Sequence, residues 1–199
     1  MPKINELSEK QFAHIRDINE LLVRKIVMGD QKAFEKLYHL YYKRLCQFAF
    51  LFLHSKELSE EVVSDVFFNV WMKREQLIPE RNIRSFLYTS VRNQAINYCQ
   101  RVNPIYSRDN INAYELEIES PEPSVDDTID RELFRERLQK AFDLLPERCR
   151  MITRMHFNDQ MQYKEIAEIL NISRSTVKAQ ITIATQKIKE TFEKYGWNK

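Results

Sequence analysis

The chain has 199 residues, 43% hydrophobic and 30% charged, with a formal net charge of +2 at pH 7, enough to close one large core or two small ones. Its two glycines, Gly29 and Gly196, leave no phosphate-cradling loop or dinucleotide turn, both of which need backbone without Cβ. The longest nearly uncharged apolar stretch, Phe48 to Leu53, is far below the ~20 residues of a bilayer-spanning helix, and no charged-then-apolar signal segment opens the chain; we expect a cytoplasmic protein without membrane insertion.

Charge partitions along the chain. Residues 1–29 carry a net +1, 30–101 carry +3, 102–130 carry −7 and 131–199 carry +5. The acidic stretch also holds Pro104, Pro121 and Pro123, which argues for an extended linker rather than a packed element. The expected layout is an N-terminal segment over 1–29 leading into the first helix, a basic domain over 30–101, an acidic flexible linker over 102–130 and a second basic domain over 131–199.

In the first basic block, Phe34, Leu37, Tyr38, Tyr41, Leu45, Phe48 and Phe52 recur at steps of three and four, predicting a helix behind an N-cap at Asp30. Ser55 caps the next helix, with Glu57 on its positive end and a stripe of Leu58, Val62, Val63, Val66, Phe67, Val70 and Trp71. Residues 77–83, with Pro79, break it. A third helix from about Arg84 carries Phe86, Leu87, Val91, Ala95, Ile96 and Cys99 inward and ends before Pro104.

The second block predicts helices over Leu133 to Leu145, Glu147 to Phe157, Tyr163 to Leu170 and Arg174 to Tyr195, with no period-two segment anywhere. The fold class is therefore all-α, with two small helical domains. Cys46, Cys99 and Cys149 are odd in number and lack CxxC spacing, so buried free thiols are expected. His14, His39, His54 and His156 show no metal spacing and read as surface or packing residues; no metal, cofactor or catalytic residue is expected. An enzymatic use of Glu60 and Glu61 fails on geometry, since adjacent helical residues point about 100° apart.

The sharpest local motif lies in residues 162–188. A short helix meets a three-residue turn, Asn171, Ile172 and Ser173, and a second helix opens at Arg174, which is helix-turn-helix spacing. Ala167 sits where the two helices cross most closely, Asn171 suits a positive φ, and Ser173 is an N-cap. Val177, Ile181, Ala184 and Ile188 face inward. The opposite face, Arg174, Ser175, Lys178, Ala179, Thr182 and Gln186, combines short groups with cations able to reach phosphates or guanine edges, as a helix in a major groove requires.

Residues 144–188, with Leu-Leu-Pro-Glu-Arg at 144–148, Tyr-Lys-Glu-Ile-Ala-Glu-Ile-Leu at 163–170 and Ser-Thr-Val-Lys at 175–178, resemble region 4 of bacterial RNA polymerase sigma factors. Asp30 to Tyr38, Asp65 to Trp71 and Phe86 to Tyr98 resemble region 2. The two-domain layout resembles the extracytoplasmic-function (ECF) class. The resemblance implies a promoter-specificity subunit that binds core RNA polymerase, reads −35 promoter DNA as duplex through Arg174, Ser175, Thr176, Lys178, Ala179 and Thr182, and captures the −10 element as a melted strand.

For that strand the needed chemistry is a basic track, ring faces and amides, offered by Arg84, Phe86, Tyr88, Arg92, Asn93 and Asn97 behind the loop Leu77 to Ile83. Glu61, Asp65, Phe68, Asn69 and Trp71 occupy the helix that, by the same resemblance, is expected to dock on the polymerase's largest subunit, where a half-exposed Phe68 with a polar rim fits an interface anchor. The acidic linker resembles the connector that threads the polymerase's basic channels, and an anti-sigma factor is expected to cover the same surfaces.

Gln162 stands where a better capping residue is usual, and Ile183 and Thr185 replace basic residues. These departures imply −35 binding that leans on polymerase. A free-standing helix-turn-helix regulator binding an operator as a dimer is the alternative, weakened by the lack of a ligand cradle or dimer seam.

Overall fold

The computed structural model describes residues 17–102 and 129–197. Every regular element among them is helical, and the chain divides into two compact units, residues 1–111 and 112–199. The acidic stretch 103–128 lies outside the described residues, as does His14.

The first unit is built on α2 (Gln31–Leu53), which packs against both α3 (Lys56–Met72) and α4 (Ile83–Val102), themselves in contact. Its local signals are those the sequence predicts. The Asp30 carboxylate accepts the Ala33 N–H at 3.1 Å, and Ser55 Oγ accepts the Leu58 N–H at 3.2 Å, so each helix starts on a satisfied donor. Between them His54 takes the left-handed conformation, φ 48°, and returns its N–H to the Phe50 carbonyl, turning the chain in two residues. The buried faces of α2 (Leu37, Leu45, Phe48, Ala49), α3 (Val63, Val66, Phe67) and α4 (Leu87, Val91, Ala95, Ile96) supply the core of this unit. Each fully buried aliphatic side chain contributes about 1.5–3 kcal/mol of transfer free energy.

An unanticipated helix, α1, runs over residues 17–27. It buries Val23 and Ile26 and seats Asn19 against Tyr41 of α2: the Tyr41 hydroxyl accepts from Asn19 Nδ2 at 2.8 Å and donates to Asn19 Oδ1 at 3.1 Å. Gly29, at φ 84°, makes the turn into α2 that a Cβ would strain. A 3₁₀ turn, Arg74–Gln76, follows α3, and the loop through Pro79 leads to α4.

The second unit is assembled around α8 (Arg174–Lys194), against which α5 (Ile129–Asp143), α6 (Glu147–Phe157) and α7 (Tyr163–Leu170) all pack. Leu145, Cys149 and Ala184 form a buried cluster flanked by Phe142 and Ile188. Met155, Met161, Ile166 and Ile169 are buried with them in this unit. The three cysteines are free, Cys149 buried and Cys46 and Cys99 half-buried; the Cys99 thiol donates to the Phe52 carbonyl at 3.4 Å. His156 is a packing residue, its Nδ1 2.9 Å from the Met161 carbonyl and its ring against Tyr163, whereas His39 and His54 are exposed.

Candidate nucleic-acid interface

The turn between α7 and α8 has the geometry its sequence specifies. Asn171 is left-handed, φ 55° and ψ 50°, and its N–H and that of Ile172 close on carbonyls of α7. Ser173 Oγ accepts the Thr176 N–H at 3.0 Å, fixing the start of α8. Gln162 makes no side-chain cap at the start of α7, as its chemistry implies. Val177, Ile181, Ala184 and Ala167 are buried, which holds α8 close and turns its other side outward.

On that outer side Arg174, Ser175, Lys178, Ala179 and Thr182 are exposed and Thr176 is half-exposed. They differ in what they have to offer. The Ser173, Ser175 and Thr176 hydroxyls form a cluster with contacts of 2.7 and 2.8 Å, and Thr182 Oγ1 donates to the Lys178 carbonyl at 3.0 Å. The hydroxyls are thus already engaged in the helix and its cap, and the long reach belongs to Arg174 and Lys178. Ile183 is exposed beside them, 45% open to solvent.

In the first unit α4 separates the predicted strand-binding residues into two groups. At about 100° per residue, positions 86, 93 and 97 fall within about 40° of one another, and Phe86, Asn93 and Asn97 are all exposed; Arg92 is half-buried and lies about 100–140° round the helix from them. Phe86, expected to point inward with the core as well as to meet a base, is 48% exposed and is free of that core. Tyr88 is the opposite case. It is 1% exposed and packs edge-on against Phe48 at 4.9 Å, so its ring cannot stack on a base. Arg84, 7% exposed, lies with the buried face rather than on the outer track. The reason is helical phase: residues 84, 88, 91 and 95 recur at steps of three and four and face the core.

Along α3, Glu61, Asp65, Phe68 and Asn69 are exposed, and Phe68 is 63% open. Met72 continues the same stripe, i+4 from Phe68, and is exposed; continuing the stripe by one turn finds it in the sequence. Trp71, expected both in the inward stripe of this helix and on its outer face, follows the stripe. It is half-buried, its ring 5.0 Å from Phe34 and capped by the Arg74 guanidinium at 4.7 Å, so it braces the α2–α3 junction more than it presents a surface.

A groove of about 420 Å³ separates α3 from α4, lined by Glu61, Val62, Asp65, Gln94, Tyr98, Arg101 and Val102. Gln94 bridges it, donating to Asp65 at 3.1 Å. Among the described residues no group of three metal-ligating side chains comes together, and no helix is long and apolar enough to cross a membrane. Burial raises the Tyr42 hydroxyl to about 12 and the Cys46 thiol to about 11, and burial lowers Arg148 and Arg154 in α6.

Comparison with known proteins places family resemblances on both units. The family model for Sigma-70 region 2 matches residues 37–103, and that for Sigma-70, region 4 matches residues 135–188. The ECF RNA polymerase sigma factor SigW of Bacillus subtilis is 24% identical over 166 residues, covering 80% of this chain and 88% of its own. The ECF RNA polymerase sigma-E factor of Escherichia coli K12 is 27% identical over 180 residues, with 85% and 92% covered. Among solved structures, CnrH in complex with the cytosolic domain of CnrY superposes with a TM-score of 0.52 at 20% identity over 88% of this chain and 97% of that one. The sigma factor RpoE of Bartonella quintana, in complex with the anti-sigma factor NepR, gives 0.54 at 20% identity over 81% and 98%. These superpositions share the fold.

Proposed function

The chain belongs to the sigma-70 family, in its extracytoplasmic-function class, and from that membership we propose how its own surfaces divide the work of directing promoter-specific transcription. Residues 30–101 serve as the region that meets core RNA polymerase and the −10 element. Residues 131–199 serve as the −35 reader, and the acidic residues 102–130 join them. The N-terminal residues lead into the first of these. The protein acts by binding, in the cytoplasm, where polymerase and promoter are found.

One observation carries the −35 reading. α8 buries Val177, Ile181 and Ala184 while keeping Arg174, Lys178, Ala179 and Thr182 on the outside. Short side chains flanked by two cations let a helix lie deep in a major groove and contact phosphates and base edges. Only those two cations project from the start of this face, so affinity for free duplex is low and salt-sensitive, and polymerase supplies the remaining hold.

For the −10 element, Phe86 offers an exposed ring face and Asn93 and Asn97 offer paired donors and acceptors along one side of α4. Arg92 adds charge. Tyr88 and Arg84 act from beneath, as core support for that surface. Polymerase meets the stripe of Glu61, Asp65, Phe68 and Asn69, with Phe68 as its apolar anchor; Met72 extends it. An anti-sigma factor, such as the one bound to the Bartonella quintana relative, would cover the same surfaces. A free-standing operator-binding dimer accounts for α8 and leaves the region 2 unit without a role.

The test is transcription in vitro with purified core polymerase on a promoter library, with and without this protein. Promoter-dependent initiation that requires it, with matched −35 and −10 sequences among the selected templates, is the expected result. No association with core polymerase would defeat the proposal.

A further inference from the structure

The helix the sequence did not announce touches the loop assigned to the −10 element. Arg24 of α1 places Nη2 at 2.8 Å from Glu20 Oε1 on its own helix and at 2.7 Å from Glu80 Oε1, 56 residues away. Glu80 lies in the loop between the 3₁₀ turn and α4, beside Pro79 and Arg81 and six residues before the exposed Phe86.

α1 is a firm base from which to hold that loop. Val23 and Ile26 on its inner side are 1% and 0% exposed, Asn19 is locked to the Tyr41 hydroxyl, and the Asp30 N–H closes on the Lys25 carbonyl at 3.0 Å. Two of the loop's bonds are local. Arg81 N–H returns to the Ile78 carbonyl at 3.0 Å, and Asn82 Oδ1 accepts the Ser85 N–H at 3.2 Å as the cap of α4. The Arg24 contact ties the loop to a part of the fold outside its flanks.

We propose that the Arg24–Glu80 ion pair is a clamp through which α1 sets both the position and the charge of the −10 loop, making Arg24 a positioning residue for capture of the opened strand. The proposal rests on the −10 assignment of this loop and α4. Two consequences of the pair act together. The loop tip is held against a helix anchored by its buried inner face, Val23 and Ile26, so the strand meets a surface already in place and the ordering cost of capture falls. The Glu80 carboxylate is also neutralised where a phosphate backbone passes; unpaired, it would repel that strand.

The experiment is a charge-reversal set, R24E, E80R and the double reversal R24E/E80R, in the full chain assembled with core polymerase. The readout is selectivity among templates with randomised −10 elements, alongside thermal melting of each free protein. Each single reversal puts like charges face to face and releases the loop, and should reduce −10 discrimination about two- to fivefold, the effect an exposed ion pair supports; the added cation of E80R attracts every strand alike and so raises overall affinity without restoring discrimination, which the double reversal should restore.

E80R leaves the Arg24–Glu20 pair intact, so it reports on the clamp even where R24E loosens α1. Unchanged selectivity in E80R, or a double reversal no better than the singles, overturns the clamp. A parent protein indifferent to −10 sequence overturns the −10 assignment and the clamp with it, whereas a selective parent with unaffected variants overturns the clamp alone.

Discussion

Gln94 of α4 donates its side-chain N–H to the Asp65 carboxylate of α3 at 3.1 Å, so a residue of the proposed polymerase face is bonded to the helix proposed to hold the opened strand. The bond is exposed and its worth in the free protein is small, about 0.5–1.5 kcal/mol. Its interest lies in linking two surfaces that must act in sequence.

Coupling between those surfaces is measurable in a double-mutant cycle. Asp65→Ala should weaken competition for core polymerase, most clearly when combined with Asn69→Ala, while Gln94→Ala should leave polymerase binding intact and slow promoter opening. In permanganate reactivity of unpaired thymines, the two single effects should fall short of adding by about 0.5–1 kcal/mol. Strict additivity would show that the bond transmits nothing, and an undiminished pull-down would remove Asp65 and Asn69 from the polymerase face.

Two aromatic residues two positions apart should behave oppositely. Phe86→Ala removes an exposed ring, so melting temperature should hold and −10 opening should fall. Tyr88→Ala empties a site packed on Phe48 and should cost about 3 kcal/mol or more of stability, read by chemical denaturation. A stable Tyr88→Ala protein defective only in opening would return Tyr88 to the strand-binding surface.

Lys178→Ala should lower output from promoters with a −35 element and leave polymerase binding unchanged. The slope of log affinity against log salt should fall by about one, the signature of a single phosphate contact. Retention of the full slope would move the contact elsewhere on α8.

At high pH the fold should weaken. Cys46 rises from 9.0 to about 11 and Tyr42 from 10.0 to about 12 on folding, both because burial disfavours the charged form. Each folded pKa lies above its unfolded value, so the associated stability is fully present below about pH 9 and is lost as pH climbs through 11 and 12. Denaturation midpoints should decline over that window, and the decline should flatten in Cys46→Ala/Tyr42→Phe. The same high pKa predicts slow reaction of Cys46 with a disulfide reagent at pH 8; prompt reaction there would contradict it.

What the residues alone determined is everything that depends on neighbours a few positions apart. Helical periods, the caps at Asp30, Ser55 and Ser173, the left-handed Asn171 and the inward faces of α7 and α8 are set within about four residues, so order along the chain is enough to read them. The outward stripes at Arg174 to Thr182 and at Glu61 to Asn69 followed as the complements of those faces. Tertiary structure decided the matters that two distant segments settle together. Phe86 and Tyr88 are alike in size and apolar surface, and the approach of α2, with Phe48, selects which is buried. Trp71 is taken up by Phe34 and Arg74. α1 exists as a packed helix because Asn19 finds Tyr41, and Arg24 matters because Glu80 comes to it. An amphipathic helix of this kind, with Val23 and Ile26 buried, gains its stability from such contacts rather than from propensity, and contacts between residues this far apart in the chain exist only once the fold has brought them together.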